Sequence, residues 1–180
     1  MKNKSLKLMS LFLLLAVVLV GCGQAATPAE TPAASETPAP AAETPAVANE
    51  MKYVSPADLK AAIEADSKDY IILDNRKVED FNTSHIKGAV TADVDAANKG
   101  GDDEAGKESL KKALTEATGS ETGSADATYA LVCYSGKSYA QKATDLLIEM
   151  GVSPDQIVTL EGGMKAWEAA GDDYKGLLEQ

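Results

Sequence analysis

Short apolar runs and amphipathic segments take turns along the chain from Met51 onward, a rhythm that predicts an α/β unit with a mainly parallel sheet flanked by helices. Lys52–Val54 reads as a short strand, and Ser55-Pro56 as the N-cap and first position of a helix through Ala57–Ala65 that turns Leu59 and Ile63 inward. Tyr70–Leu73 is a continuous apolar run closed by Asp74, the pattern of a strand covered on both faces. A short helix is expected at Val78–Phe81, a strand at Ala89–Ala92, and a helix at Lys107–Ala117 between polar, Gly-containing loops at 98–106 and 118–127. The pattern then gives a buried strand at Tyr129–Val132, a turn at Cys133–Lys137 and a helix at Ser138–Met150. A strand at Ile157–Leu160 and a helix at Met164–Ala170 complete the unit.

Ahead of Met51 the pattern is different. Lys2, Lys4 and Lys7 precede an apolar run from Leu11 to Val20, and Gly21-Cys22-Gly23 follows at once. The run is too short to cross roughly 30 Å of hydrocarbon, so residues 1–21 read as a signal peptide. Leu19-Val20-Gly21-Cys22 resembles the lipobox of bacterial lipoproteins, which implies that Cys22 is lipidated and becomes the mature N-terminus. Acyl chains at ~0.8 kcal/mol per buried methylene would hold the protein on a membrane without a spanning helix, on the extracytoplasmic face. Residues 22–50 are then the lipidated N-terminus and a tether of Ala, Thr, Pro, Glu and Ser, with Thr-Pro at Thr27, Thr31, Thr37 and Thr44. Such a segment cannot bury a core and is expected to be disordered; at ~3.1 Å per residue it reaches at most roughly 80 Å.

Composition narrows the partners. The chain carries a net charge of −11, and losing residues 1–21 removes three lysines and no acid, which makes the mature chain −14. That balance excludes nucleic acid as a partner. With Cys22 lipidated, Cys133 is the one remaining thiol, so no intramolecular disulfide forms. The chain is expected to act as a monomer, an expectation that the cysteine count does not itself supply.

Cys133 is the candidate nucleophile. It stands at the C-terminal end of an expected parallel strand, before a small polar turn and a helix, which is where α/β folds bind ligands. Backbone N–H groups of the turn and the helix start converge there, the macrodipole adds positive charge, and Lys137 supplies a cation; together they favour a thiolate over a neutral thiol.

The loop Cys133-Tyr134-Ser135-Gly136-Lys137-Ser138 resembles the active-site loop of the rhodanese family, Cys-x-x-Gly-x-(Arg or Ser). Three further stretches match in order: Ile71–Arg76 with Glu79 and Phe81, His85–Ala89, and Leu160–Trp167 with Gly171. The resemblance implies a rhodanese-like fold over residues 51–180 and a thiosulfate sulfurtransferase-like enzyme. In it Cys133 takes the sulfane sulfur of a small donor as a persulfide and passes it to a thiol or cyanide acceptor. It further implies that Tyr134, Ser135, Gly136, Lys137 and Ser138 bind the transferred sulfur or the donor, and that no metal or organic cofactor is needed. The loop departs from the common pattern in having Ser138 in place of arginine, and Ser84 and Lys87 stand where glycine and proline are usual.

Several residues carry a second reading. Arg76, the sole arginine, is either a further anion-binding residue or half of an ion pair with Glu79 or Asp80. Asp74 reads as a structural acceptor. His85, the sole histidine, reads as a brace for the turn before the sheet rather than as a base, and Trp167, Met164 and Gly162-Gly163 as a turn and core-facing helix. Asn82-Thr83-Ser84 matches a glycosylation sequon by accident if the lipobox is bacterial. Two competing functions stand beside sulfur transfer. Phosphatase chemistry on the same fold needs a longer loop and an arginine where Tyr139 stands, and a noncatalytic or partner-specific sulfur-delivery module would use the same loop.

The anchoring expectation is tested by Cys22→Ala. The parent should partition into detergent and the variant should be released or left unprocessed, whereas identical partitioning of the two would rule out a lipid on Cys22.

Overall fold

The computed structural model describes residues 49–180, and the expectations of a signal peptide, a lipidated Cys22 and a tether over residues 1–48 lie outside them. The chain runs β1 (Tyr53–Val54), α1 (Pro56–Glu64), β2 (Tyr70–Asp74), α2 (Val78–Thr83), β3 (His85–Ile86), β4 (Val90–Thr91) and α3 (Asp95–Gly100). It continues through α4 (Asp103–Thr118), β5 (Thr128–Val132), α5 (Ser138–Glu149), β6 (Ile157–Leu160), α6 (Gly163–Ala169), α7 (Asp172–Lys175) and β7 (Leu178–Glu179). Five strands form one parallel sheet in the order β1-β6-β5-β2-β4, and β3 and β7 form a separate antiparallel pair.

The central strands are apolar throughout because both faces are covered. In β2 and β5 the alternate residues Leu73, Tyr129 and Leu131 join a core with Leu110 and Leu114 of α4 and Ala143, Leu146 and Leu147 of α5. Their neighbours Ile72, Ala130 and Val132 face the other way, onto Leu59 of α1 and Met164 and Trp167 of α6. Trp167 is fully buried, and its indole N–H donates to the Tyr174 carbonyl at 2.9 Å, so α7 is pinned beside α6. The Ser55 cap is formed as expected, its Oγ accepting the Asp58 N–H at 3.1 Å ahead of Pro56.

Differences from the sequence reading lie in the short elements. Residues 95–100, expected partly as loop, form α3, a helix too brief to show a period; buried Val94 and Ala97 root it in the core, and Gly101 ends it at φ 70°. The helix expected at Lys107–Ala117 starts earlier, at Asp103, because the Asp102 carboxylate caps it by accepting the Ala105 N–H at 3.1 Å. Gly106 near its start lets α4 pack tightly, since a Cβ there would lie 2.7 Å from both Ala97 and Leu146 side-chain carbons. His85–Ile86 and Leu178–Glu179 pair as strands that two-residue apolar patterns do not reveal. His85 has the bracing place expected of it: it stacks on Phe81 at 3.9 Å, with Nδ1 2.9 Å from the Phe81 carbonyl oxygen.

Among the described residues no helix is long and apolar enough to cross a membrane. Asn49 already contacts α5, its side-chain amide donating to Asp145 at 2.8 Å. A fragment of residues 49–180 should therefore unfold in one cooperative thermal transition. A fragment that melts without cooperativity, or more than about 8 °C below the longer chain, would show that part of the fold lies upstream.

Candidate active site: the Cys133 loop

The β5 strand ends at Val132 and hands Cys133 to a tight turn, and α5 starts at Ser138. The turn is held from below by α6. The Met164 N–H donates to the Cys133 carbonyl at 2.8 Å and the Lys165 N–H to the Tyr134 carbonyl at 3.1 Å. These are first-turn amides of α6, which have no partner inside their own helix. A trans peptide is planar with its C=O and N–H on opposite sides, so fixing these two carbonyls toward α6 turns the N–H groups of Tyr134 and Ser135 away from it.

Two glycines make this contact close enough. Gly163 has φ 58°, and a Cβ on it would lie 2.2 Å from the Cys133 carbonyl oxygen and 2.7 Å from the amide nitrogens of Ser135 and Gly136. Gly136 in the turn has φ 65°, and a Cβ there would meet the Leu160 carbonyl oxygen at 2.6 Å. Both positions combine left-handed backbone with contact against backbone, so only glycine fits.

The result is a run of free donors. Among the described residues, the backbone N–H groups of Tyr134, Ser135, Gly136 and Lys137 donate to no protein acceptor, nor do those of Ser138, Tyr139 and Ala140 at the start of α5. The Ser138 hydroxyl has no protein partner either, and the exposed Lys137 ammonium has no carboxylate within ion-pair distance among them. Cys133 itself is 1 % exposed and packs in the core with Leu73 and Ala140. Burial by itself fits an inert core cysteine. The unpaired amides beside it add a row of donors that water or an anion can take, which a purely apolar core position lacks.

Every loop residue expected at the site is thus brought together there: Cys133, Tyr134, Ser135, Gly136, Lys137 and Ser138. Arg76 is placed otherwise. Its Nε donates to Asp74 Oδ1 at 3.0 Å, one terminal nitrogen to Asp74 Oδ2 at 2.7 Å, and the same nitrogen to the Ser84 carbonyl at 2.6 Å. This is the ion-pair arrangement, and the partner is Asp74, not Glu79 or Asp80. Arg76 lies at the end of β2 two residues after Asp74, where Asp74 Oδ1 also accepts the Arg76 N–H, so a local turn selects this pairing. Although burial opposes the charge, the Asp74 carboxylate holds the guanidinium pKa above its ordinary value.

Sequence reasoning missed the wall of the site. The Tyr134 hydroxyl donates to Asp80 of α2 and the Tyr139 hydroxyl to Asp95 of α3, and the two rings meet edge to face at 5.1 Å. Burial, reinforced by the bond to Asp80, pushes the Tyr134 pKa up to about 12, so this hydroxyl stays neutral. Burial and Asp95 raise Tyr139 in the same direction. The Asp95 carboxyl is held below the usual range by the Tyr139 hydroxyl and by Lys99. No local pattern marks these carboxylates, which come from separate elements. Gly162-Gly163 was the one available signal of the α6 contact.

A profile of the rhodanese-like domain matches residues 55–170, most of the described unit. Among solved structures, a rhodanese-like domain from Anabaena is similar at TM-score 0.51 and 20% identity, covering 72% of this chain and 80% of that one. A thiosulfate sulfurtransferase from Pseudomonas aeruginosa is similar at TM-score 0.50 and 18% identity, covering 72% of this chain and 20% of that one. A Bacillus halodurans protein matches at TM-score 0.50 and 18% identity, over 66% of this chain and 72% of its own. Among curated proteins none matches.

Two stability measurements check this geometry. Gly163→Ala should cost roughly 1–3 kcal/mol more in urea unfolding than Gly88→Ala, since Gly88 has φ 77° but open space around it. Equal costs would mean that the close approach to the loop is not a constraint. Arg76→Met leaves the fully buried Asp74 carboxylate unpaired and should destabilise the fold by about 3–5 kcal/mol. A fully stable variant that has lost only anion binding would restore the substrate-binding reading of Arg76.

Proposed function

We propose that this chain, which belongs to the rhodanese-like domain family, is a sulfurtransferase that carries sulfane sulfur on Cys133. The observation that supports this best is the row of seven unpartnered amides from Tyr134 to Ala140 around the end of β5. They offer a preorganised set of donors to an anion at the end of β5.

In the first half-reaction the Cys133 thiolate attacks the outer sulfur of a donor such as thiosulfate. The donor's S–S bond breaks, its electron pair leaves with sulfite, and Cys133 becomes a persulfide whose terminal sulfur is negative. The loop amides of Tyr134 to Ser138 and the Ser138 hydroxyl stabilise that charge as it develops, and Lys137 draws the donor in. In the second half-reaction a thiolate or cyanide attacks the terminal sulfur and returns Cys133 as thiolate, with a persulfide or thiocyanate as product. The sequence of covalent steps gives ping-pong kinetics. Neither half-reaction requires a base, in keeping with His85 being bound up with Phe81.

A phosphatase reading fits less well, because the position that would have to carry a cation holds Tyr139, tied to the Asp95 carboxylate. A partner-specific sulfur-delivery module shares the first half-reaction and differs only in the acceptor. We further propose the arrangement of residues 1–21 as signal peptide, 22–50 as lipidated tether and 51–180 as catalytic domain, which would place the reaction on the outer face of a bacterial cell membrane with Cys22 as the anchor.

Incubation with thiosulfate should add one sulfur atom to Cys133 by intact mass, and cyanide should remove it as thiocyanate. Cys133→Ser should do neither, and Lys137→Ala should slow loading more than unloading, since it removes the cation nearest an incoming dianion. Thiocyanate production by Cys133→Ser at the parent's rate would refute the mechanism. Loading without turnover would move the reading to sulfur delivery.

A further inference from the structure

The run of free amides from Tyr134 to Ala140 carries a tyrosine near each end, and both tyrosine hydroxyls are tied to carboxylates of other helices. Tyr134 donates to Asp80 of α2, and Tyr139 donates to Asp95 at the start of α3. Each tyrosine also supplies a backbone N–H to the row, so fastening its side chain limits where that N–H points. Tyr134 is held from two sides. Its carbonyl accepts the Lys165 N–H of α6, and its hydroxyl also accepts the Lys77 N–H in a long 3.4 Å bond.

The two carboxylates belong to one platform, joined without help from the loop. Asp93 accepts the Val78 N–H at 3.1 Å and the Asp95 N–H at 2.7 Å, so a single side chain links the first residue of α2 to the first residue of α3. Lys77, immediately before α2, has its ammonium 3.7 Å from Asp95. Arg76 grips Asp74 ahead of α2 and the Ser84 carbonyl just past its other end. Buried Val94 and Ala97 root α3 in the core. The anchors of both tyrosines are thus set by hydrogen bonds and ion pairs in which residues 133–138 take no part. Burial, with the bond to Asp80, pushes the Tyr134 pKa up to about 12, so the hydroxyl keeps the proton it donates.

We propose that Asp80 and Asp95 are positioning residues for sulfur transfer: through Tyr134 and Tyr139 they hold the amide row as a cradle shaped to receive the negative terminal sulfur of the Cys133 persulfide. The proposal rests on the sulfur-transfer reading of Cys133. Both carboxylates act through the tyrosines alone, and the covalent steps are unchanged. Amides fixed before the donor arrives stabilise the charge as it develops on the transferred sulfur, whereas amides free to tilt must first be ordered. Loss of a tyrosine hydroxyl should therefore slow the chemical step and leave capture of the donor, the part assigned to Lys137, largely intact.

The test follows persulfide formation on Cys133 of the full chain by intact mass over a range of thiosulfate concentrations, with a cooperative thermal transition showing each variant to be folded. Tyr134→Phe and Tyr139→Phe, which remove only a hydroxyl, should each lower the loading rate at saturating thiosulfate about tenfold and change the half-saturating concentration less than about threefold. Asp80→Ala should match Tyr134→Phe, and the two together should cost no more than either alone, because they break the same bond. Asp80→Asn keeps an oxygen for the tyrosine to donate to and should load within about threefold of the parent. Folded Phe variants that load at the parent's rate, or an effect confined to the half-saturating concentration, overturn the proposal. So do effects of Asp80→Ala and Tyr134→Phe that multiply. If a Phe variant does not fold, the comparison of Asp80→Ala with Asp80→Asn decides, and equal loading by those two overturns the proposal. Failure of the parent itself to load Cys133 would instead sink the sulfur-transfer reading, and this proposal with it.

Discussion

Two hydrogen bonds hold the candidate site in shape: the amides of Met164 and Lys165 on the carbonyls of Cys133 and Tyr134. Each contributes about 0.5–1.5 kcal/mol to stability, a modest amount. Their larger effect is directional. With these two carbonyls drawn down to α6, the N–H groups of Tyr134 and Ser135 turn away from it, and α5 adds the unpaired amides of its first turn. The absence of a side chain at Gly163 permits the contact, and the parallel pairing of β5 with β6 brings α6 to the right place. One helix start thus orients the donors and another completes the set.

The rest of the fold keeps that arrangement stiff. Leu73 pairs with Leu131 and Asp74 with Val132 along the central strands, so the end of β2 lies beside the residue that precedes Cys133. The Asn75 N–H continues the pairing by donating to the Val132 carbonyl at 2.7 Å. There the Arg76–Asp74 pair ties the end of β2 to Ser84, so Arg76 acts as a brace under the wall that carries Tyr134 and Asp80. A buried pair of this kind adds little net stability relative to an apolar replacement, but losing one partner is costly. Its value lies in fixing α2, whose Asp80 then meets the loop tyrosine.

Much of this was legible in the residue pattern. The continuous apolar runs at Tyr70–Leu73 and Tyr129–Val132 marked strands covered on both faces, and Ser55-Pro56 marked a helix start, because such signals are local. The Cys133 loop was recognisable from its spacing and its place between strand and helix. The short elements were not: α3, β3 and β7 form because tertiary neighbours cover Val94, Ala97 and Ile86, which no period of two to six residues encodes. Arg76 found Asp74 two residues back instead of Glu79 or Asp80, a choice made by the turn after β2. Asp80 and Asp95 were invisible as wall residues because their partners, Tyr134 and Tyr139, lie more than forty residues away in sequence.

The most direct measurement of the cradle follows the backbone amides of the folded domain by NMR as Cys133 is converted to its persulfide. Hydrogen bonds to a negative sulfur should move the proton resonances of Tyr134 to Ser138 downfield together, with cyanide treatment returning them and with little change at His85 or Trp167. Persulfidation that leaves these amides where they were, or shifts only residues outside the loop, would contradict the assignment of the turn as the anion site.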